Sequence, residues 1–100
     1  DTQATARMYQ DAASLDSLTG LPNRSAFELQ LDTVCQSHVD EPHRFGLLFL
    51  DLDDFKEVND TYGHAMGDEV LRATAGVMRE TLRDTDTVAR LGGDEFVVLL

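Results

Sequence analysis

Acidic residues in this sequence stand where apolar segments begin or end. Asp94 and Glu95 directly precede the apolar run 96–100, and Asp51 directly follows the apolar run 45–50. Mg²⁺ prefers oxygen ligands and usually takes only one or two protein carboxylates, which leaves positions for water and phosphate oxygens. If the two segments are neighbours in the fold, Asp51 and Asp94 would converge on the same metal. Spacing alone also permits the plainer interpretation that acids at a turn are solvated turn residues.

A pair of divalent ions at such a site would have a defined chemistry. Two ions about 3.5–4 Å apart activate an attacking hydroxyl and stabilise a leaving pyrophosphate. The acids therefore raise the hypothesis of a metal-assisted reaction at a nucleotide phosphate.

The segment 51–62 begins like a calcium-binding helical-hand loop but does not complete one. Such a loop needs an oxygen ligand at its fifth position, glycine at its sixth and glutamate at its twelfth. Phe55, Lys56 and Tyr62 occupy those positions. The sequence therefore excludes this type of calcium site. Asp54 is instead expected to cap the helix that follows.

A predicted hairpin would hold two of the acids in place. Residues 86–91 and the run 96–100 are predicted to pair, since Gly92-Gly93 supplies the positive φ angles that a two-residue turn needs. The turn would present Asp94 and Glu95 at its tip, with no side chain on the glycines to keep a ligand away.

One further strand and three helices are predicted around this hairpin. The apolar run 45–50 is continuous, which predicts a central strand covered on both faces. A first helix is expected to run to about residue 38 with four side chains on its buried face: Phe27, Leu31, Val34 and Cys35. A short helix is expected to end at Gly63 with three residues at helical spacing: Phe55, Val58 and Tyr62. The clearest helix spans 67–82 and carries one apolar stripe: Val70, Leu71, Thr74, Val77, Met78 and Leu82.

The N-terminal segment is predicted to be a helix distinct from the domain. Ala4, Met8 and Ala12 lie one helical turn apart in a polar context, which is a thin apolar seam. We assign residues 1–15 to a stalk or linker helix that arrives from an upstream element, and residues 16–100 to the domain itself.

Composition and charge restrict the class of protein. One hundred residues with 42% hydrophobic content form one small globular domain. A formal net charge of −11 argues against binding DNA or RNA through their phosphates. The single cysteine excludes an internal disulfide and suits a reducing compartment. Because no apolar run approaches a membrane span, we expect a cytoplasmic domain, compatible with a membrane anchor upstream of residue 1.

Three motifs in the correct order carry a resemblance to a known family. The segments 16–24, 49–71 and 90–96 together resemble the GGDEF domain of bacterial diguanylate cyclases, whose name motif is intact at residues 92–96. The resemblance covers the N-terminal part of that domain and ends after the hairpin. It implies a palm-like α/β (α+β) fold of the nucleotide-cyclase type, with a mainly antiparallel central sheet flanked by helices.

The resemblance also implies a reaction. Two GTP-loaded domains meet face to face as a homodimer, make cyclic di-GMP and release two pyrophosphates, with Mg²⁺ or Mn²⁺ as cofactor. Asp51, the backbone carbonyl of Leu52, and Asp94 would hold the metal. Asp94 would also take the proton from the ribose 3′-hydroxyl, and Glu95 would support it or hold a second ion. Lys56 is the third residue implied in catalysis, through its amine near the phosphates.

A second set of residues is implied in substrate binding: Asn59, His64, Asp68, Phe55, Gly92 and Gly93. Asn59 and Asp68 match the pair that reads the guanine edge. His64 lies in the same binding segment, residues 63–68. Backbone amides near Phe55 would face the phosphates.

An allosteric product site is implied immediately upstream of the hairpin. Arg83 and Asp86 fit the RxxD motif at which cyclic di-GMP inhibits the family's enzymes, and Arg90 would contribute. Arginine suits this role because its planar fork binds phosphate bidentately and stacks on a base. The alternative is that Arg83 only favours a helix C-terminus and Asp86 only closes a turn.

Two other functions stay open beside the cyclase. One is a catalytically inactive module that binds cyclic di-GMP, and the other is a structural dimerisation unit without a ligand. An upstream sensory or receiver domain is the expected partner of the cyclase. The 100-residue piece on its own is expected to be inactive, because later parts of the domain carry further phosphate ligands.

Overall fold

The computed structural model of this protein describes residues 12–40 and 44–100. Most of the predicted stalk helix, residues 1–11, lies outside the described residues. Ala12–Ser14 forms one turn of 3₁₀ helix, and Leu15 makes an isolated antiparallel bridge to Pro22.

The described residues form three α-helices and three β-strands. In chain order they are α1 (Arg24–Asp40), β1 (Leu47–Asp51), α2 (Phe55–Tyr62), α3 (His64–Thr81), β2 (Thr87–Gly92) and β3 (Glu95–Leu99). The strands make one antiparallel sheet in the order β1-β3-β2. This arrangement of helices and antiparallel sheet confirms the predicted fold class.

The place of β1 in the sheet corrects the prediction of a central strand covered on both faces. Within the described residues β1 pairs only with β3, and its apolar residues 47–50 are between 37% and 69% exposed. The central strand is β3, which pairs with β1 on one side and β2 on the other. A continuous apolar run reports that a segment is apolar on both faces, but strand pairing decides which strand is central. The condition set for the convergence of Asp51 and Asp94, that this strand lies beside the hairpin, is met.

The core lies on both faces of β3. Side chains alternate along a strand, so Phe96 joins a cluster with Leu71 and Ala75 of α3. Val97 faces the other way and joins a cluster with Phe27 of α1. The hairpin is therefore held between α3 and α1, and its turn is carried by a rigid, buried strand.

α1 confirms part of its predicted apolar face. Phe27 is buried, and Leu31 and Val34 are half-buried against the same cluster. Cys35 is exposed, so its predicted burial is wrong. At 3.6 residues per turn, Cys35 lies about 80° around the helix axis from Phe27, which turns it away from the sheet. The helix also extends to Asp40, two residues beyond the predicted end.

α2 and α3 follow each other with Gly63 as the only intervening residue. The predicted stop at Gly63 is confirmed, since this glycine has φ 91° and donates its N–H to the carbonyl of Asn59 at 2.8 Å. Tyr62, the last of the three residues at helical spacing, has an exposed side chain. α3 begins at His64 rather than Gly67, so residues 64–68 of the predicted binding segment 63–68 are helical.

The buried line of α3 is narrower than the predicted stripe. Gly67, Leu71 and Ala75 are its buried residues, each four positions from the next. Val77 was predicted to share this face but is 62% exposed. It lies about 120° around the axis from Leu71, so it points away from the sheet.

Candidate functional site

The β2–β3 turn has a register that differs from the predicted one. Gly92 pairs with Glu95, so the turn consists of Gly93 and Asp94, and the pairing shifts between Arg90 and Gly92. Glu95 is consequently the first residue of β3, and only Asp94 stands at the tip. Gly92 (φ 146°) and Gly93 (φ 51°) adopt angles that side chains disfavour. The glycine requirement was predicted correctly, whereas the bulge that moves the turn by one residue was not.

The end of β1 meets this turn. Asp51 lies directly opposite Glu95 in the antiparallel register, and the N–H of Leu52 donates to the carbonyl of Asp94 at 3.4 Å. Carboxylates from two strands are thus brought to one edge of the sheet although they are distant in sequence.

The charges at this edge favour a cation. Like charges directly opposite each other on adjacent strands are destabilising, and Asp51 and Glu95 form such a pair. Among residues 12–40 and 44–100, no three His, Cys, Asp or Glu side chains are grouped closely enough to hold a metal alone. Mg²⁺ does not need three, because it completes its shell with water and phosphate oxygens. The oxygen donors present at this edge therefore fit Mg²⁺ or Mn²⁺.

A groove of about 320 Å³ runs beside these acids. Its lining includes Asp51, Glu95 and the apolar side chain of Phe49. Arg24, the first residue of α1, also lines it and supplies a positive charge that sequence reasoning did not assign to the site.

Arg90 braces the turn from behind. Its Nε and Nη2 atoms both donate to the carbonyl oxygen of Gly93, at 3.0 and 2.8 Å. Its Nη1 atom donates to Oδ1 of Asp16 at 2.9 Å, and the two side chains are only 14% and 17% exposed. The guanidinium predicted for the allosteric product site is therefore engaged by the hairpin turn and by the N-terminal motif.

Asp16 is itself held by its own turn. The backbone N–H and the hydroxyl of Thr19 donate to Oδ2 of Asp16 at 2.8 and 2.7 Å. Burial raises the pKa of this carboxyl, but the hydrogen bonds from Thr19 and Arg90 and the charge of Arg90 outweigh burial, so its pKa is lowered. Asp16 therefore stays ionised and keeps its hold on Arg90.

Two more contacts fix the Asp16 turn to the domain. The N–H of Arg90 donates to the carbonyl of Pro22 at 3.1 Å, and the guanidinium of Arg79 donates to the carbonyl of Thr19. The motif 16–24 therefore acts as a connector between α3 and the hairpin. Sequence reasoning found the motif but missed these partners, because each contact joins residues far apart in the chain.

The connection between β1 and α2 has a strained backbone. Asp54 is the only non-glycine residue with positive φ among the described residues, at 59°. It occupies the N-cap position of α2, as predicted, but its side chain makes no capping hydrogen bond, so the predicted capping is wrong. A left-handed N-cap residue lacks the extended geometry from which a side chain reaches the first turn. The first-turn N–H groups of α2 thus lack a side-chain cap.

The candidate base-reading residues lie where α2 packs on α3. Asn59 of α2 has a buried Oδ1 atom without a hydrogen-bond partner in the described structure. It lies against Gly67, and Asp68, the next residue, is half-buried. His64 is exposed in the first turn of α3, and Lys56 is exposed on α2. The fold thus brings Asn59 and the segment 63–68 together.

The predicted product motif forms a turn between α3 and β2. The N–H of Arg83 donates to Oδ2 of Asp86, and the N–H of Asp86 donates to the carbonyl of Arg83, both at 3.0 Å. Arg83 itself is exposed. A groove of about 260 Å³ adjoins the turn and is lined in part by Arg79, Asp84 and Asp86.

No helix within residues 12–40 and 44–100 combines the length and the apolar character that crossing a bilayer requires.

Comparison with known proteins identifies relatives of this chain. The family model described as "GGDEF: Diguanylate cyclase, GGDEF domain" matches residues 13–100. The probable diguanylate cyclase DgcE of Escherichia coli is 50% identical over 94 residues, which cover 94% of this chain and 8% of that protein.

Solved structures show the same similarity. The GGDEF domain of TpbB (YfiN) from Pseudomonas aeruginosa superposes with a TM-score of 0.82 and 51% identity, covering 86% of this chain and 50% of that one. The GGDEF domain of DgcB from Caulobacter crescentus, in complex with c-di-GMP, gives a TM-score of 0.85 at 39% identity and covers 90% and 51%. This chain thus spans about half of these solved domains.

Proposed function

Because this chain belongs to the GGDEF family of diguanylate cyclase domains, we propose that the protein containing it condenses two GTP molecules into cyclic di-GMP and two pyrophosphates. The observation that carries the proposal is the meeting of β1 with the β2–β3 turn. Asp51 stands opposite Glu95, and Leu52 is hydrogen-bonded to Asp94. Acids that are brought together from two strands at the edge of a groove are more typical of a phosphoryl-transfer site than of solvated turn residues.

In this proposal Asp51, the carbonyl of Leu52, and Asp94 hold Mg²⁺ or Mn²⁺. The bound ion would lower the pKa of the attacking hydroxyl and neutralise charge that develops on the phosphates. Glu95 supports this arrangement from its position across from Asp51.

Asp94 has the central role in the reaction. Its carboxylate accepts the proton of the ribose 3′-hydroxyl, and the oxygen then bonds to the α-phosphorus of the second GTP. The bond from that phosphorus to the pyrophosphate oxygen breaks, and pyrophosphate leaves with the electron pair. Because Arg90 holds the carbonyl of Gly93 by two hydrogen bonds, the position of Asp94 is set before substrate binds.

Guanine recognition is assigned to the α2–α3 junction. Asn59 offers an amide and Asp68 a carboxylate, which together suit the hydrogen-bond pattern of guanine and not that of adenine. His64 lies in the same segment and contributes to binding. The buried, unpaired Oδ1 of Asn59 supports this role, since such an atom costs free energy that folding alone does not recover.

The phosphates are assigned to the start of α2 and to the turn. Backbone N–H groups near Phe55 lack a side-chain cap and suit an anion. Lys56 is exposed beside them and supplies a positive charge. Gly92 and Gly93 let the backbone approach the ligand closely.

Product control is assigned to Arg83 and Asp86. The hydrogen bonds between Asp86 and the Arg83 backbone close the turn. They fix the backbone that carries the exposed guanidinium of Arg83. The guanidinium of Arg90 is bound to Asp16 and Gly93. Arg90 would therefore contribute to the product site only by its position on β2. Catalysis by a face-to-face homodimer, under an upstream sensory or receiver domain, completes the proposal.

The test is GTP turnover by the full-length protein with Mg²⁺, beside an Asp94→Ala variant. We expect conversion to cyclic di-GMP that falls by at least about 10³-fold in the variant, since both a metal ligand and the base are removed. Omitting the metal ion should have a comparable effect. We further expect the 100-residue piece alone to give no turnover.

The alternative is a module that binds cyclic di-GMP without catalysis, and the exposed Arg83 motif favours it as the second candidate. A folded, dimeric full-length protein without turnover, whose binding of cyclic di-GMP disappears in Arg83→Ala, would select it.

A further inference from the structure

The packing of α2 on α3 depends on a missing side chain. A Cβ atom placed on Gly67 would lie 2.9 Å from Cγ of Asn59, closer still to its Oδ1, and 3.3 Å from Cζ of Phe55. Gly67 is buried and helical with negative φ, so its backbone conformation does not require glycine. The space above Gly67 is occupied by the carboxamide of Asn59.

The carboxamide gains no hydrogen bond for its oxygen in this space. Oδ1 of Asn59 is buried and has no partner in the described structure. An unsatisfied buried acceptor destabilises the folded state, and isolated cases in native proteins call for an explanation such as a binding role. The position of the carboxamide is therefore one that folding tolerates and does not by itself favour.

From these observations we propose that Gly67 is a specificity-determining positioning residue, whose lack of a side chain sets the place of the Asn59 carboxamide for base recognition. This inference rests on the proposed role of Asn59 in reading guanine. Gly67 would not touch the nucleotide and acts through Asn59.

Gly67→Ala is expected to displace the carboxamide and leave the fold intact. The atoms nearest the new methyl group belong to the end of a side chain, which can rotate away at low cost, rather than to backbone. Alanine also stabilises a helix interior relative to glycine. The loss should therefore appear in recognition and not in folding.

The experiment measures steady-state kinetics of the full-length protein with GTP and with inosine triphosphate, whose base lacks the exocyclic amino group of guanine. For Gly67→Ala we expect the KM for GTP to rise about tenfold or more with a smaller change in kcat. The preference for GTP over inosine triphosphate should fall, because the displaced amide no longer orients the base toward Asp68, whose carboxylate can accept from the exocyclic amino group.

Gly76→Ala is the matched control. Gly76 lies in the same helix, and a Cβ there would meet no atom of the described residues within 4 Å. This variant should keep the KM and the base preference of the wild type. Equal kinetics for Gly67→Ala and Gly76→Ala would overturn the inference.

A double mutant tests whether Gly67 acts through Asn59. In an Asn59→Ala background, Gly67→Ala should have no further effect on the KM, because the side chain that it displaces is absent. An undiminished effect there would contradict the inference. If Gly67→Ala alone unfolds the protein, the double mutant should refold, and failure to refold would place the clash elsewhere and overturn the inference.

Binding separates this inference from the cyclase proposal. The affinity for a non-hydrolysable GTP analogue with Mg²⁺ can be measured by calorimetry without turnover. If the wild type binds the analogue but forms no product, and Gly67→Ala weakens that binding, the cyclase proposal fails while the role of Gly67 stands. If turnover occurs and Gly67→Ala binds the analogue like the wild type, the role of Gly67 fails and the cyclase proposal stands.

Discussion

The β2–β3 turn and the α2–α3 junction differ in whether their polar side chains are hydrogen-bonded within the protein. At the turn, Arg90 donates to both Gly93 and Asp16, and Asp16 also accepts from Thr19. At the junction, the Oδ1 atom of Asn59 is buried and has no partner among residues 12–40 and 44–100. Both regions carry proposed active-site residues, yet only at the turn are the polar side chains named here paired within the protein.

The difference distinguishes groups that hold another residue in position from groups that recognise the base. In the proposed reaction Asp94 must be held in one place for proton transfer, and the chain provides that rigidity through a nearly buried ion pair behind the turn. A base-reading group must keep hydrogen-bonding capacity for the ligand, so pairing it within the protein would compete with binding. We infer that the paired groups behind the turn support the site, whereas the Asn59 carboxamide, whose Oδ1 has no partner among the described residues, is left available for recognition of the base. Three predictions test that distinction.

The largest effect is expected from Arg90→Ala. This change leaves Asp16 partly buried without its cation and the carbonyl of Gly93 without its donors. We expect the free energy of unfolding of the domain to fall by about 2 kcal/mol, since a partly buried carboxylate loses its cation and a carbonyl loses its donors. Urea denaturation of the full-length protein measures the change.

The control is Arg72→Ala, which removes the ion pair of Arg72 with Glu69. These two side chains are 51% and 68% exposed, and such surface pairs contribute about 0.5 kcal/mol or less. Similar losses for the two variants would contradict the bracing role of Arg90.

A smaller effect is expected when only the charge of Asp16 changes. Its pKa is lowered in the folded protein from the ordinary value of 3.8. The unfolded chain therefore binds the proton more readily, so the stabilisation is present above pH 3.8 and is lost as the pH falls through the lower folded pKa. Urea midpoints measured between neutral pH and this acidic range should decline less steeply for Asp16→Asn than for the wild type. Parallel curves would show that Asp16 does not support the turn through its charge.

The smallest effect on stability is expected from Asn59→Leu. Leucine has a similar shape and removes the unpaired oxygen, so the free energy of unfolding should change by less than about 1 kcal/mol or increase. Binding of GTP, measured by calorimetry on the full-length protein, should nevertheless weaken. A stability loss as large as that of Arg90→Ala would mean that Asn59 is a structural residue and that the distinction between the two regions fails.

Much of the fold and of the candidate site was predictable from local patterns. The two glycines predicted the positive φ angles of the hairpin turn, and the spacing around Leu71 predicted α3. The order of three motifs predicted the family. Several of the predictions that failed concern solvent exposure: β1 is an edge strand in the described structure, and Cys35 and Val77 are exposed. Periodicity shows which residues share a face, but the neighbouring elements decide whether that face is covered.

The sequence by itself determined the acids, the glycines and the elements that carry them, because backbone angles and side-chain periodicity are local properties. Only the tertiary structure placed Asp51 opposite Glu95, joined Arg90 to Asp16 across 74 positions, and set Asn59 against Gly67. Each of these contacts depends on strand register or helix packing, which arises when distant segments bury their apolar faces together. The types of the candidate site residues are therefore set by the sequence, whereas their relative positions are set by the packing of the core.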